Sequence, residues 1–271
     1  MIISLKTIQF DKGETLAYDK LILATGSKPN KFGWPGQDLP GVQGLYSKQD
    51  LDSMEEHSKG LKHAVIVGGG LIGIEMAEML RTRNIGITFL VREPSFWNNV
   101  LPPQESAMIN RHIKKHHIDL RLREELKEII AGSDGKVSKI ITGKGEEIEC
   151  GLVGLTAGVS PNISFLKDAA LETNRGILIN QYLETNQTDV YAIGDCAEFK
   201  EALPGRRPIE QVWYTGRMMG ETVAQTICGN KIKYNPGHWF NSAKFLDIEY
   251  QTYGTVLSKL QKGQSEFYWE H

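Results

Sequence analysis

Three glycines follow the apolar run HAVIV in the spacing G-x-G-x-x-G, at Gly68, Gly70 and Gly73. In such a segment the first glycine allows a tight turn, the second lets the backbone approach a ligand, and the third lets the next helix pack closely. The unpaired N–H groups and the dipole at a helix N-terminus favour a negatively charged group. The pattern therefore predicts a dinucleotide diphosphate at this turn, with a purely structural turn as the alternative. The predicted contacts are Gly68, Gly69, Gly70, Leu71, Ile72 and Gly73.

The residues that end the next apolar run, Val91, Arg92 and Glu93, bear on which dinucleotide binds. A carboxylate at this strand end holds the ribose hydroxyls of NAD, whereas an arginine accommodates the 2′-phosphate of NADP. Because Val91 supplies no carboxylate and Arg92 is suitably placed for a phosphate, the sequence favours NADPH over NADH. Two alternatives stay open: Glu93 reaches the ribose itself, or Arg92 and Glu93 form a solvated strand end.

The surrounding pattern supplies the elements that would position these residues. A strand is predicted over 62–70, an amphipathic helix after it, and a second strand over 86–91, which together make a βαβ unit. Another helix opens at Pro102 and Pro103. Four short strands between 127 and 157 predict a β-meander, with Asp134-Gly135 as its clearest hairpin turn. Further strands are predicted over 176–179 and 190–194, and a helix over 210–228.

Composition narrows the function classes. The chain has 271 residues and a formal net charge of −2, so the basic surface of a nucleic-acid-binding protein is not expected. The N-terminal apolar run is too short for a signal peptide or a membrane span, which predicts a cytoplasmic protein without membrane association. The cysteines, at positions 150, 196 and 228, have no disulfide or zinc spacing, and the histidines, including His116 and His117, are interpreted as non-ligands. No metal site is predicted.

Three further stretches extend the pattern beyond the glycine turn: YDKLILATGSKP (18–29), LTAGVSPN (155–162) and TNQTDVYAIGDCAE (185–198). In this order and spacing they resemble the FAD-dependent pyridine nucleotide-disulfide oxidoreductase superfamily. The segment GHWFNSAKFLDIEYQTYG (237–254) is similar to the rubredoxin reductase and nitrite reductase branches, and NADH oxidases belong to the same superfamily. The resemblance covers nearly the whole chain and adds FAD to the expected cofactors.

Further site residues are implied by this resemblance. Ala24, Thr25 and Gly26 match the small residues that pack against the flavin nucleotide, and Gly194 and Asp195 match a second flavin signature. Asp195 would accept a hydrogen bond from a ribityl hydroxyl, and the helix after it would direct its N-terminus at the FAD diphosphate. The alternative is that Asp195 only caps a helix.

The resemblance also places residues beside the nicotinamide. Ala157 and Gly158 match the return crossing at the nicotinamide domain. Glu75 matches a position near flavin and nicotinamide, although it is also typical of an exposed helical glutamate.

The implied architecture is α/β: a doubly wound, Rossmann-like, three-layer NAD(P)-binding domain with a β-meander, inserted in a partial FAD-binding domain. We expect FAD-domain sequence over 1–58 and 161–234, the NAD(P)H domain over 59–160, and the start of an interface domain over 235–271. The family's first FAD-binding strand-turn-helix is expected to be missing, which would make the chain a central fragment.

The expected function is hydride transfer from NADPH or NADH to FAD and then to an unidentified acceptor. Hydride transfer is the chemistry of the cofactors, so no side chain is predicted to be catalytic. The alternative is a non-catalytic NAD(P)-binding module, or a subunit that needs a separate FAD-binding half. Besides the nucleotides, the candidate partners are an electron-acceptor protein and a second copy of the chain.

Overall fold

The computed structural model describes residues 6–167 and 169–271, which form four α-helices and eighteen β-strands. The helices are α1 (Lys48–His57), α2 (Leu71–Arg81), α3 (Pro103–Lys115) and α4 (Trp213–Ile227). The strands are β1 (Thr7–Gln9), β2 (Thr15–Ala17), β3 (Leu21–Leu23), β4 (Ser27–Pro29), β5 (Val42–Gln43), β6 (His63–Val67), β7 (Gly86–Val91), β8 (Asp119–Leu122), β9 (Leu126–Ala131), β10 (Val137–Thr142), β11 (Glu147–Glu149), β12 (Leu152–Leu155), β13 (Val159–Pro161), β14 (Ile177–Ile179), β15 (Val190–Ala192), β16 (Ala197–Phe199), β17 (Phe240–Phe245) and β18 (Ile248–Tyr253). Within the described residues, no helix is long and apolar enough to cross a lipid bilayer.

The chain forms two compact units. The first unit comprises the chain up to Lys28 together with Ser160–Asn241, and the second unit comprises Pro29–Val159 together with Ser242–His271. The chain therefore passes from one unit to the other three times. This division follows the packing of the chain, and which nucleotide each unit binds stays a prediction.

A parallel sheet with the strand order β5-β12-β6-β7-β8 forms the middle of the second unit. Its central strands are apolar on both faces. Ala64 and Ile66 of β6 pack in one cluster with side chains of α2 and α3. Val65 and Val67 pack in another cluster with side chains of β9, β10 and β11. The unit thus has three layers, and the α/β, Rossmann-like fold predicted from the sequence is confirmed.

The β-meander is smaller than the sequence predicted. Strands β9, β10 and β11 form an antiparallel three-stranded sheet, with the turn at Asp134-Gly135 joining β9 to β10. The fourth predicted strand, β12, lies instead in the parallel sheet between β5 and β6. All four residues of β12 are buried. A continuous apolar run of this kind suits a strand covered on both faces.

The first unit is built on two parallel strand pairs, β3 with β15 and β14 with β16, and on α4. Leu23 of β3 and Val190 of β15 are buried together with Met219 and Val223 of α4. The burial of these apolar side chains is the main source of the stability of this unit.

The compact units divide the chain at other residues than the predicted domain boundaries 58 and 234. Strand β5 pairs with β12, which places the segment after Pro29 in the second unit. At the C-terminal end, Phe245 of the hairpin β17–β18 is fully buried in the cluster of α2 and α3. Trp97 packs against Phe245 and Tyr250, with ring centroids 5.5 and 5.8 Å apart. These contacts explain why most of the hairpin, from Ser242 onward, belongs to the second unit.

Candidate functional site

The first glycine of the turn lies where β6 ends, beside the end of β12. Gly68 has a φ of +123°, and a Cβ atom there would lie 2.8 Å from the carbonyl carbon and oxygen of Thr156. Both the backbone conformation and the close approach therefore require glycine. The strand order of the sheet reverses between β6 and β12. Strands β7 and β8 lie on one side of β6, whereas β12 and then β5 lie on its other side. Ligands of open α/β sheets bind at such a switch point.

Gly70 precedes α2 and has open space on the side where a Cβ would stand. The nearest atom to such a Cβ is Cδ1 of Trp97, 4.0 Å away. The backbone at Gly70 is extended, and the first helical hydrogen bond runs from Ile74 N–H to the carbonyl of Gly70. The amides of Leu71, Ile72 and the third glycine therefore belong to the first turn, whose N–H groups have no partner within the helix. A diphosphate could approach this backbone without meeting a side chain at Gly70.

The third glycine serves helix packing. A Cβ on Gly73 would lie 2.8 Å from Oγ1 of Thr156 and 3.1 Å from Cε1 of Phe89. Gly69 also faces protein, because a Cβ there would lie 2.8 Å from Cγ1 of Val91. Two of the glycines thus let α2 lie close to the sheet, whereas Gly70 leaves room for a ligand.

The predicted return crossing lies beside the same turn. Ala157 is the second residue after β12, and its amide nitrogen would be 2.9 Å from a Cβ on Gly68. The side chain of Asn30 donates to the carbonyl of Ala157, and its backbone N–H donates to the carbonyl of Gly158. The structure therefore brings Gly68, Ala157 and Gly158 together at one edge of the parallel sheet.

The end of β7 presents an exposed arginine that is paired with two carboxylates, those of Glu93 and Glu125. Val91 is buried, and the side chain of Arg92 is 74% exposed. Its Nη2 lies 2.9 Å from Oε1 of Glu93. An exposed ion pair of this kind contributes little to stability, so the guanidinium can exchange Glu93 for another anion at small cost. Arg92 thus has the charge and the freedom that contact with a ribose 2′-phosphate requires.

Glu75 lies one turn into α2 and is exposed. Neighbouring protein atoms desolvate its carboxylate, and together with the negative charge of Glu78 they raise the pKa of Glu75. A hydrogen-bond donor from a ligand would oppose this shift, because it would stabilise the charged carboxylate.

In the first unit, two of the predicted segments meet at the ends of β3 and β15. These strands are parallel neighbours, so Ala24 and Gly194 follow them at the same edge. The N–H of Ile193 donates to the carbonyl of Leu23, and the hydroxyl of Thr25 donates to the carbonyl of Asn162. The amide of Asn162 in turn donates to the carbonyl of Gly26. We call this edge the flavin-signature corner. It comprises Ala24, Thr25, Gly26, Gly194 and Asp195.

The helix expected to follow Asp195 does not begin beside this residue. A 3₁₀ turn, Gly194–Cys196, leads into β16, and the next helix is α4, which begins only at Trp213. Helix α4 nevertheless lies against the corner: a Cβ on Gly216 would be 3.6 Å from Cα of Gly194, and the N–H of Gly194 donates to Sδ of Met219. The expected helix therefore comes from a later stretch of the chain.

The flavin-signature corner has room for a group at Gly194. Its φ is +70°, and a Cβ there would meet no described atom within 4 Å. The side chain of Cys196 is buried behind it, with Sγ 3.5 Å from the carbonyl oxygen of Leu23. A glycine facing open space at the carboxyl ends of two parallel strands is the arrangement that a nucleotide needs, and the corner therefore fits FAD.

Sequence reasoning missed Thr156 and Asn30. The Thr156 hydroxyl donates to the carbonyl of Val67, and Thr156 limits the space beside both Gly68 and Gly73. A polar residue directly after an apolar strand was the available signal for Thr156. No sequence signal pointed to Asn30, which lies 127 residues from the alanine that it contacts.

Comparison with known proteins settles the family. The sequence profile of the pyridine nucleotide-disulphide oxidoreductase family matches residues 2–224. The chain belongs to this family.

Curated relatives share part of the chain. Nitrite reductase [NAD(P)H] of Bacillus subtilis (strain 168) is 32% identical over 195 residues, which are 72% of this chain and 24% of that protein. Rubredoxin-NAD(+) reductase of Pseudomonas putida is 28% identical over 224 residues, which are 83% of this chain and 58% of that protein. The chain thus spans from about a quarter to a little over half of the length of these relatives.

Among solved structures, a FAD-dependent pyridine nucleotide-disulphide oxidoreductase from Desulfovibrio vulgaris superposes with a TM-score of 0.79 at 28% identity. The match covers 93% of this chain and 66% of that one. The fold and the family thus agree with the resemblance found in the sequence.

Proposed function

We propose that the chain carries the NAD(P)H site and part of the FAD site of a FAD-dependent NAD(P)H oxidoreductase. Family membership supports the class of reaction, and relatives are named as reductases that use NAD(P)H or NAD(+). When bound, FAD would accept a hydride from the nicotinamide and release the electrons to an acceptor. The residues of this chain would bind the nucleotides and orient them.

The NAD(P)H site is proposed at the glycine turn of the second unit. Its diphosphate would lie against the amides of Gly69, Gly70, Leu71 and Ile72, and the adenosine 2′-phosphate against Arg92. The observation that carries this proposal is the open space at Gly70 directly before α2. Ala157, Gly158 and Glu75 would contact the nicotinamide half.

The flavin-signature corner is proposed to hold part of FAD. Asp195 would accept a hydrogen bond from the ribityl chain, and Ala24, Thr25 and Gly26 would let the nucleotide approach the backbone. The N-terminal turn of α4, rather than a helix beginning at Asp195, would supply the favourable dipole for the diphosphate.

The acceptor is proposed to be a small redox protein or a further redox centre. This rests on the names of relatives, which include reductases of rubredoxin and of nitrite. The cytoplasmic location and the second copy as partner stay predictions, which cell fractionation and light scattering would test.

A pair of substitutions at Gly70 tests the NAD(P)H site. Asp and Asn are both good N-cap residues, and the extended backbone at Gly70 suits an N-cap, so Gly70→Asp and Gly70→Asn should keep or slightly raise thermal stability. Asp places a negative charge against the diphosphate, whereas Asn has nearly the same size without charge. We expect Gly70→Asp to bind NADPH at least about tenfold more weakly than Gly70→Asn in calorimetric titration. Equal affinities for the two variants would contradict a diphosphate at this turn.

Flavin uptake separates the oxidoreductase from the non-catalytic binding module. A chain that takes up FAD should show flavin absorbance that NADPH bleaches under anaerobic conditions. A chain that binds NADPH but retains no FAD after gel filtration is a nucleotide-binding module, and the electron-transfer proposal then fails for it.

A further inference from the structure

Two histidines of α3 and an aspartate of the C-terminal hairpin converge in the second unit. His112 and His116 are one helical turn apart, with His116 at the C-cap of α3 and ring centroids 4.6 Å apart. Asp247 lies in the turn between β17 and β18. Its Oδ1 is 2.5 Å from Nε2 of His112 and 2.9 Å from Nε2 of His116. Residues 131 positions apart thus direct three potential ligand atoms at one point.

Hydrogen bonding accounts for only part of this arrangement. His116 and Asp247 form a hydrogen bond, but the buried Nε2 of His112 has no hydrogen-bond partner of acceptable geometry although it lies close to the same oxygen. The His112 side chain is only 13% exposed. Nε2 of His112 thus has Asp247 as an ion-pair neighbour but makes no hydrogen bond, an arrangement that a cation shared by the two side chains would satisfy.

The permanently charged side chains around the depression beside the cluster sum to no net charge, since the carboxylates of Glu78 and Asp247 balance the cations of Arg81 and Lys244. Lys244 lies nearby but is paired with Glu78, with 2.9 Å between Nζ and Oε1. Arg81 directs one guanidinium nitrogen at the carbonyl of Ile85. A shallow depression beside the cluster, lined by Thr82 and Asp247 among others, leaves space for a water molecule.

We propose that His112, His116 and Asp247 bind a divalent transition-metal ion of the Zn²⁺ type. The three ligand atoms lie within 4.8 Å of one another, so small side-chain rotations can bring all three to about 2 Å from one ion. Two imidazoles at H-x₃-H spacing and one carboxylate form a ligand set that suits Zn²⁺, and water would take the fourth position. No metal spacing was predicted among the histidines, although His112 and His116 stand at H-x₃-H, a spacing that Zn²⁺ ligands use.

The ion would link the β17–β18 hairpin to α3. Ligands from two distant stretches of chain meet only in the folded state, so metal binding adds to the stability of that state. This role is independent of nucleotide binding, and it concerns only residues of the second unit.

Titration of the untagged, chelator-treated chain with Co²⁺ tests the site, because Co²⁺ held by nitrogen and oxygen ligands shows visible ligand-field bands. We expect one ion per chain, displacement of Co²⁺ by Zn²⁺, and a higher thermal midpoint with Zn²⁺ than with chelator. His116→Gln and Asp247→Asn should each weaken Zn²⁺ binding by at least about tenfold, since the loss even of an outer partner of a metal site costs that much.

His117→Asn is the matched control. His117 is the adjacent, exposed histidine, and its φ of +58° suits asparagine, which tolerates this conformation. This variant should bind Co²⁺ like the unaltered chain. Circular dichroism checks that each variant is folded. Absent Co²⁺ bands in the unaltered chain, or equal losses in His116→Gln and His117→Asn, would overturn the proposal whether or not the chain binds NADPH.

Discussion

In the second unit, β6, the glycine turn and α2 follow one another directly along the chain. In the first unit, the flavin-signature corner takes β3, β15 and α4 from three separate stretches. Both corners lie at the carboxyl ends of parallel strands, and both contain a glycine of positive φ next to a helix. The glycine turn is crowded, since Gly68 touches the backbone of Thr156, whereas Gly194 faces open space.

This difference shows that two similar corners use glycine for different reasons. Because the backbone is crowded at Gly68, the fold requires glycine there. At Gly194 the space is open, so glycine there matters for the surface that a ligand would contact. Substitutions at the two positions should therefore separate stability from binding.

The largest expected effect is that of Gly68→Ala. A side chain at this φ is strained, and its Cβ would overlap the backbone of Thr156, so we expect the free energy of unfolding to fall by about 3 kcal/mol. Urea denaturation measures the change. Gly135→Ala is the control, because Gly135 has a φ of +77° with no atom within 4 Å of an added Cβ, and it should cost only about 1 kcal/mol. Equal losses would show that crowding at Gly68 is unimportant.

Replacing Arg92 by alanine should change nucleotide preference without changing stability. The side chain is exposed, but a charge-assisted contact with the 2′-phosphate is worth about 1.5–3 kcal/mol, so NADPH affinity should fall roughly tenfold or more. NADH affinity should stay unchanged in the same calorimetric titrations.

Glu93→Gln is the companion variant for Arg92. It removes the nearer of the two carboxylates beside Arg92, those of Glu93 and Glu125, so NADPH binding should be kept or slightly strengthened. A loss of NADH affinity in this variant would instead favour the alternative in which Glu93 holds the ribose.

Gly194→Ala should have a smaller effect on stability than Gly68→Ala. Its φ of +70° costs alanine about 1 kcal/mol, and the added methyl group meets no neighbour. The methyl group would occupy the space proposed for FAD, so flavin retention after gel filtration should decrease. The comparison between the corners would be wrong if this variant unfolds as readily as Gly68→Ala.

The smallest expected effect concerns the reactivity of the cysteine thiols. It compares how well each unit protects its buried thiol, and it needs no substitution. Cys150 is buried in the second unit and Cys196 in the first, whereas Cys228 is exposed. Ellman's reagent should therefore modify one thiol rapidly in the native chain and all three after denaturation. The slow phases report local opening of each unit. Cys228→Ser should abolish the rapid phase and leave the slow ones.

The pKa of Cys150 predicts how direct modification of this thiol in the folded chain depends on pH. Desolvation raises the pKa of this thiol to about 12. In the folded chain the thiol therefore stays protonated as the pH rises from about 7 to 9, and raising the pH should not make native Cys150 directly reactive. In a Cys196→Ser chain, a rapid second phase that appears over this range would contradict the burial of Cys150.

The sequence by itself determined the βαβ unit around Gly68, because strand, turn and helix are consecutive and each leaves a local pattern of apolar spacing and glycines. Strand β7 and the start of α3 were predicted correctly for the same reason. Local patterns do not specify pairing partners, so the sequence predicted the helix over 210–228 but wrongly assigned β12 to the meander.

Only the tertiary structure decided that β12 completes the parallel sheet, that α4 reaches the flavin-signature corner, and that Asp247 meets His112 and His116. Each of these contacts joins residues far apart in the chain. Their formation depends on which apolar faces bury one another in the folded state, and that is a property of the whole chain rather than of any segment.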